Sequence, residues 1–364
     1  MSLPIAYHGY EFTAPGQPLV RGVRTLAHLP PGEVLVEVAG CGICHTDLGF
    51  LDHGVRTRHS LPLILGHEIS GFVRAAGAGA EGLVGRAVVV PAVIPCGACA
   101  DCRSGHPMIC KRQVFPGNDV DGGWASHVVV PAVGLCALPT TPATADAPLA
   151  PGSALTLRHL SVIADAVSTP YQAIKRAGVG PGSVVIVVGL GGVGGYAAQI
   201  AHALGALVVG LDVSAHKLEH AGEQGVGLAL DPSKDDARAL KKKIGAWVGE
   251  RGGADTRWVI LECSGTPPGQ RTAWGLLVHG ATLMVVGYTM ETAELRLANL
   301  MAFDARAIGN WGCAPELYPE IVELALAGKI DLVSFTELRP LEHVEAALDD
   351  VRAHRTHRRL VLVP

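Results

Sequence analysis

Charge is scarce in this chain of 364 residues: 17% are Asp, Glu, Lys or Arg, and 29 basic against 33 acidic side chains leave a net charge of −4. Without a basic field the chain is not expected to take nucleic acid as a partner. The opening residues, MSLPIAYHGYEF, lack a basic stretch followed by an apolar one. No secretory leader is therefore expected, and the expected location is cytoplasmic. Internal repeats are missing. So are Asp, Glu, Lys and Arg between Val184 and Gly210. That gap is long enough for a membrane span, but seven glycines interrupt it and its pattern changes midway. It reads as strand, turn, helix, strand, and no membrane partner is expected.

What is present points to a folded α/β protein. Hydrophobic residues make up 49% of the chain, too many for disorder. The length exceeds one ordinary core, so two domains are expected. Glycine, at 46 residues, suits tight turns and close backbone approaches. As far as Leu135, apolar runs such as EVLVEVAG and GRAVVVPAVI read as short strands between turns. The stretch LPTTPATADAPLAPGSAL then reads as a surface loop. From Gly182 apolar strands alternate with helices, in VVIVVG, LVVGLDV, WVILECSG and ATLMVVG. That alternation predicts a parallel sheet with helices on its faces. The terminal RRLVLVP reads as a strand.

The nine cysteines are odd in number and six of them fall in two tight clusters, which suits metal ligation in a reducing compartment better than a disulfide framework. In PCGACADCRSGHPMIC, Cys96, Cys99, Cys102 and Cys110 have the spacing C-x2-C-x2-C-x7-C. Four thiolates in one short loop close a tetrahedron around zinc, and such a closed site is structural. An iron–sulfur cluster also uses four cysteines, but the other motifs of the chain, given below, favour zinc. The second cluster, CGICHTD, is followed 23 residues after Cys44 by GHE. Cys44 and His67 can be two ligands of a catalytic zinc, which keeps three protein ligands and an open position. Both residue types are also buried for packing alone, and a third ligand must come from elsewhere.

In VVIVVGLGGVGG, the residues Gly189, Gly191 and Gly194 form G-x-G-x-x-G directly after a strand and before an apolar helix. This spacing lets a pyrophosphate approach the backbone at a helix N-terminus. Asp212, at the end of LVVGLDV, stands about 20 residues on, where a carboxylate hydrogen-bonds the adenine ribose and repels a 2′-phosphate. NAD is the cofactor this predicts. The alternative is a glycine-rich core turn beside an incidental surface Asp.

Together these motifs resemble the zinc-dependent medium-chain alcohol dehydrogenases, and the similarity covers nearly the whole chain. It implies a GroES-like β-rich catalytic domain with a structural zinc loop over residues 1–165, a Rossmann doubly wound parallel-sheet domain binding NAD over 166–305, and a return to the catalytic domain over 306–364. Two zinc ions per chain follow. Cys44 and His67 match two ligands of the family's catalytic zinc. The third, usually Cys, precedes the cofactor domain; here DAVSTPYQAI stands where relatives have sequences like CAGVTVYRAL, so the matching residue is Asp165. As an alternative, Asp165 caps a helix beginning near Ala166. Asp, with thiolate and neutral His, keeps the usual charge of the ligand set but donates less than sulfur, which implies a more Lewis-acidic zinc.

Other roles come from the same resemblance. Glu68 looks like the acid beside the metal, and Asp47 like the carboxylate that orients the ligating His. His45 matches a pyrophosphate contact and Lys217 a ribose contact. Gly192, Val193 and Gly287 join the other glycines among the cofactor contacts. The implied reaction is reversible oxidation of a secondary alcohol, with zinc lowering the hydroxyl's pKa and Thr46 taking its proton. Relatives often relay that proton through a His three residues later; Gly49 stands there, so the route must use ribose hydroxyls and water, or His53.

Within the family, GVRTRHSLPLILGHEISG and PGNDVDGGWASHVVVPA look like the branch that oxidises 6-hydroxycyclohex-1-ene-1-carbonyl-CoA in anaerobic aromatic degradation. That implies an allylic alcohol carried as a CoA thioester, with Arg56, Arg58 and His59 meeting the CoA phosphates. A second basic run, RTHRR, is expected on the surface beside the last strand. A generic secondary or benzylic alcohol dehydrogenase acting on free alcohols shares every motif. A non-catalytic NAD(P)H-binding, crystallin-like relative is a different class, and the intact cysteine set weighs against it. A homo-oligomer, tetramer or dimer, is expected.

Overall fold

A computed structural model of the chain describes residues 4–364. The chain divides into two compact units, one reaching to Ser168 and resuming over Gly312–Pro364, the other spanning Thr169–Trp311.

The first unit is built on a seven-stranded sheet whose hub is the strand Glu33–Gly42. On one side it pairs antiparallel with Glu68–Ala76. On the other it pairs with His127–Pro131 along its first half and with the C-terminal strand Arg359–Val363 at its end. Eight of its ten residues are buried, so it reads as a continuous apolar run rather than an alternating one. The register matters for the site: Gly42 lies opposite Glu68 on one side and Val361 on the other. A side chain at 42 would displace the carboxylate, because its Cβ would stand 2.0 Å from Glu68 Oε2. The carboxylate therefore crosses over Gly42 toward the C-terminal strand. A three-stranded sheet of Val20–Leu26, Ile5–Phe12 and Leu63–Ile64 completes the unit, around a core that includes Trp124, Ile69 and Leu65.

The second unit is a six-stranded parallel sheet in the order Leu228–Leu230, Leu207–Leu211, Val184–Val188, Val259–Glu262, Thr282–Val285, Arg306–Gly309. Counted along the chain this is 3-2-1-4-5-6, the doubly wound order, with its switch point between Val184–Val188 and Val259–Glu262. All five residues of Val184–Val188 are buried, as a central parallel strand requires. The uncharged stretch resolves into this strand, the helix Gly192–Ala203 and the strand Leu207–Leu211. Among the described residues no helix is long and apolar enough to cross a membrane.

One boundary is corrected. The expected domain end at residue 305 falls just before Arg306–Gly309, which pairs in parallel with Thr282–Val285 and belongs to this sheet. That strand is four residues long, starts with Arg and is mostly exposed, so no apolar run announces it. The unit ends at Trp311.

Candidate active site

Cys44 stands at the N-cap of the helix His45–Asp52, just after the hub strand. Its backbone N–H donates to Asp47 Oδ2 at 2.9 Å. Asp47 is fully buried, and its other oxygen lies 3.3 Å from His67 Nδ1. One carboxylate thus closes the helix start and orients the imidazole, which leaves Nε2 for a ligand. His67 Nε2 is buried with no hydrogen-bond partner among the described residues, 3.5 Å from Asp165 Oδ2. Cys44 Sγ lies 3.6 Å from the same oxygen. Donor atoms of Cys44, His67, Glu68 and Asp165 all fall within 4.8 Å of one another. Adjacent donors on a tetrahedral zinc with bonds of about 2.0–2.3 Å are roughly 3.3–3.8 Å apart, so the set fits that ion. Burial disfavours a charged imidazole, yet Asp47 and Asp165 outweigh it and raise the His67 pKa well above its usual range.

Asp165 ends the 3-10 turn His159–Ala164, and the helix starts only at Ser168. Its neighbours are held on both sides. The Ala164 carbonyl accepts from Tyr318 Oη at 2.6 Å, Ser168 Oγ at 3.1 Å and Ala92 N at 3.2 Å. The Ala166 N–H donates to Glu68 Oε1 at 3.1 Å.

Glu68 itself is gripped by Arg359, whose Nε donates to Oε2 at 3.0 Å while Nη2 takes Oε1. Both side chains are buried. Burial works against the guanidinium, and Glu68 outweighs it, so Arg359 stays charged. This corrects the reading of RTHRR as a surface run: Arg355 and Arg358 are exposed, but Arg359 turns inward. The signal available was an Arg opening an otherwise apolar strand. Thr46 Oγ1 lies 3.6 Å from Cys44 Sγ. On the same helix His45 is exposed and Gly49 is buried, while His53 follows at its end, exposed.

The four-cysteine loop gathers its sulfurs without a disulfide. Cys99 Sγ lies 3.3 Å from Cys102 and 3.7 Å from Cys110, and Cys96 lies 4.0 Å from Cys102. The one-turn helix Ala100–Arg103 brings Cys102 back to Cys99, whose sulfur accepts the Cys102 N–H. Hydrogen bonding at the Ala98 backbone lowers the Cys96 thiol to about 6, and Arg112 adds positive charge beside it. Four sulfurs and no open position fit a structural zinc.

In the second unit, Gly191 is the N-cap of the helix that Gly192 and Val193 begin. A Cβ on Gly194 would stand 1.7 Å from the Gly189 carbonyl, so only glycine lets this helix meet the strand end. Asp212 is buried, and its carboxylate accepts from Leu190 N at 2.8 Å and Ser214 N at 2.9 Å, with Lys217 Nζ at 3.3 Å. Gly287 lies against Gly265, whose nitrogen would stand 2.3 Å from a Cβ at 287. This cradle of bare backbone fits a dinucleotide.

Arg56, Arg58 and His59 lie on an exposed loop. The loop rests on a neighbouring turn: Arg58 N donates to Asn118 Oδ1 at 3.0 Å and His59 N to Asn118 O at 2.8 Å. The Arg58 guanidinium faces Asp119 at 3.5 Å, whereas Arg56 has no ion-pair partner among the described residues.

Comparison with known proteins agrees with this geometry. Residues 30–140 match the alcohol dehydrogenase GroES-like domain, and residues 192–327 match the zinc-binding dehydrogenase model. An alcohol dehydrogenase of Geobacillus stearothermophilus is 30% identical over 333 residues, covering 91% of this chain and 92% of that protein. D-xylulose reductase A of Aspergillus niger is 28% identical over 337 residues, covering 91% and 89%. The cobalt- and zinc-bound thermostable alcohol dehydrogenase of Pyrobaculum aerophilum superposes with a TM-score of 0.82 at 25% identity, over 99% of this chain and 100% of that one.

Proposed function

The chain belongs to the zinc-dependent alcohol dehydrogenase family, and on that premise we propose that it oxidises a secondary alcohol to a ketone with NAD as hydride acceptor. The observation that carries this reading is the buried Nε2 of His67, 3.5 Å from Asp165 Oδ2, an oxygen that Cys44 Sγ also approaches at 3.6 Å. Cys44, His67 and Asp165 would hold a zinc ion, which would supply the Lewis acidity that lowers the pKa of an alcohol hydroxyl, and bound NAD would supply the hydride acceptor.

The chain's own residues do the rest. Asp47 keeps the His67 proton on Nδ1. Thr46 takes the alcohol proton on Oγ1. Gly49 offers no side chain to pass that proton on, so it leaves through water and ribose hydroxyls. Arg359 neutralises Glu68, so the acid beside the ligands adds no net charge to them. Cys96, Cys99, Cys102 and Cys110 hold the second zinc and stiffen their loop. Gly189, Gly191, Gly192, Val193 and Gly194 receive the pyrophosphate, Asp212 and Lys217 the adenine ribose. A second copy of the chain is the expected partner, and the exposed edge strand Arg306–Gly309, with Leu297 and Met301 exposed on the preceding segment, supports it.

The finer reading makes the substrate an alicyclic allylic alcohol on a CoA thioester. Arg56 favours it, since that charge is exposed and has no ion-pair partner among the described residues; Arg58 favours it less, being engaged by Asp119. The similarity to a relative named D-xylulose reductase favours a small free secondary alcohol instead. NAD-dependent rates on free secondary alcohols, polyols and the 6-hydroxycyclohex-1-ene-1-carbonyl thioester test both. Turnover of a free alcohol with NAD supports the family reading, and a kcat/KM at least ten-fold higher for the thioester supports the finer one. No turnover of any alcohol by zinc-loaded protein contradicts both.

A further inference from the structure

The first unit holds a cavity of about 190 Å³ that none of the zinc or cofactor residues lines. One water needs roughly 15 Å³, so a ligand of several heavy atoms has room there. The strand His127–Pro131 runs antiparallel to the start of the hub strand, with Pro131 opposite Glu33. Side chains alternate across a strand, so Val129 stands on the same face as His127 and Pro131. Tyr7, from the strand Ile5–Phe12, reaches that face, its ring 6.0 Å from the His127 ring. Tyr7, Glu33 and Val129 line the cavity together with Val114, Val120 and Asp121.

Asp121 is already held. Its Oδ1 accepts from Ile64 N at 3.0 Å and its Oδ2 from Arg24 Nε at 3.0 Å, while Arg24 also bonds Glu11. Glu33 and Tyr7 are not held. The Glu33 carboxylate is half-buried and has no hydrogen-bond or ion-pair partner among the described residues. Tyr7 is 9% exposed, and its hydroxyl has no hydrogen-bond partner among the described residues, yet it is not sealed off from a ligand. Burial and then the Asp121 charge push the phenol up to about 12, so it stays a neutral hydroxyl beside that carboxylate.

No basic side chain lines the cavity. Against the three carboxylates Glu11, Glu33 and Asp121 stands one guanidinium, Arg24, which leaves two negative charges among the four. An anion is repelled there. A cation offsets the cost of holding the Glu33 carboxylate away from water. An ammonium group brings three donors and no acceptor, which matches a wall of carboxylates and one hydroxyl. The valines suit an aliphatic chain behind that charge.

We propose that this cavity binds a small primary alkylammonium ion, its N–H groups donating to the Glu33 carboxylate and the Tyr7 hydroxyl and its chain packing on Val114, Val120 and Val129. The site is independent of the metal and cofactor readings.

Calorimetric Kd values are measured at pH 7 on the zinc-loaded protein for n-butylammonium, butyramide and butyrate. At that pH the amine is charged and has no lone pair for a metal. Wild type should bind n-butylammonium with a Kd on the order of 1 mM, and the other two at least ten-fold more weakly. Glu33→Gln keeps the shape and removes the charge, and should raise that Kd about ten-fold or more. Tyr7→Phe keeps the ring and removes the hydroxyl, and should raise it about five-fold. If one variant does not fold, the other carries the test. Tighter binding of Nα-acetyl-lysine amide than of n-butylammonium would put a protein lysine in place of the free amine and overturn the small-ligand reading. No saturable binding of n-butylammonium by wild type, equal binding of butyramide, or an unchanged Kd in a folded variant overturns the proposal as well.

Discussion

Arg359 lies 291 residues from Glu68 in the chain, yet its guanidinium bonds both oxygens of that carboxylate. Opening a buried pair by removing one partner leaves an uncompensated charge. Arg359→Met should therefore cost about 3–5 kcal/mol in urea unfolding. Adding Glu68→Gln should recover part of that loss, because the two residues act as one unit. Additive losses in the double variant would show that the pair does not act as one.

Tyr318 anchors the residue before Asp165. Tyr318→Phe removes one of three donors on the Ala164 carbonyl and should cost about 1 kcal/mol. The catalytic zinc should also leave faster under a chelator, while the four-cysteine zinc should leave at the wild-type rate. Equal loss from both sites would mean that Tyr318 supports the fold and not Asp165.

These two contacts mark the limit of what the sequence discloses. The cysteine loop and the glycine motif are legible because all their residues lie in one short segment with a fixed spacing. Cys44, His67 and Asp47 are legible through resemblance. Arg359 is not, because its meeting with Glu68 depends on the register of both neighbours of Gly42, which no local pattern records. Tyr318 is hidden for the same reason, 154 residues from the carbonyl it holds. The edge strand Arg306–Gly309 escapes notice because it is short and polar where the inner strands are apolar.

Asp212 is expected to set the cofactor preference. Two backbone N–H groups and Lys217 already hold its carboxylate, so a 2′-phosphate meets a fixed negative charge. The kcat/KM ratio of NAD over NADP should be on the order of 100-fold, or ~2.7 kcal/mol. Asp212→Ser should narrow it. A wild-type ratio near one would show that Lys217 offsets the carboxylate.

Metal stoichiometry tests the central claim most directly, through elemental analysis of wild type and Asp165→Ala purified side by side. The account predicts about two zinc ions per chain in wild type. The variant should retain one, held by Cys96, Cys99, Cys102 and Cys110, and lose alcohol oxidation. Iron in the cysteine loop, or two zinc ions and full activity in Asp165→Ala, would contradict it.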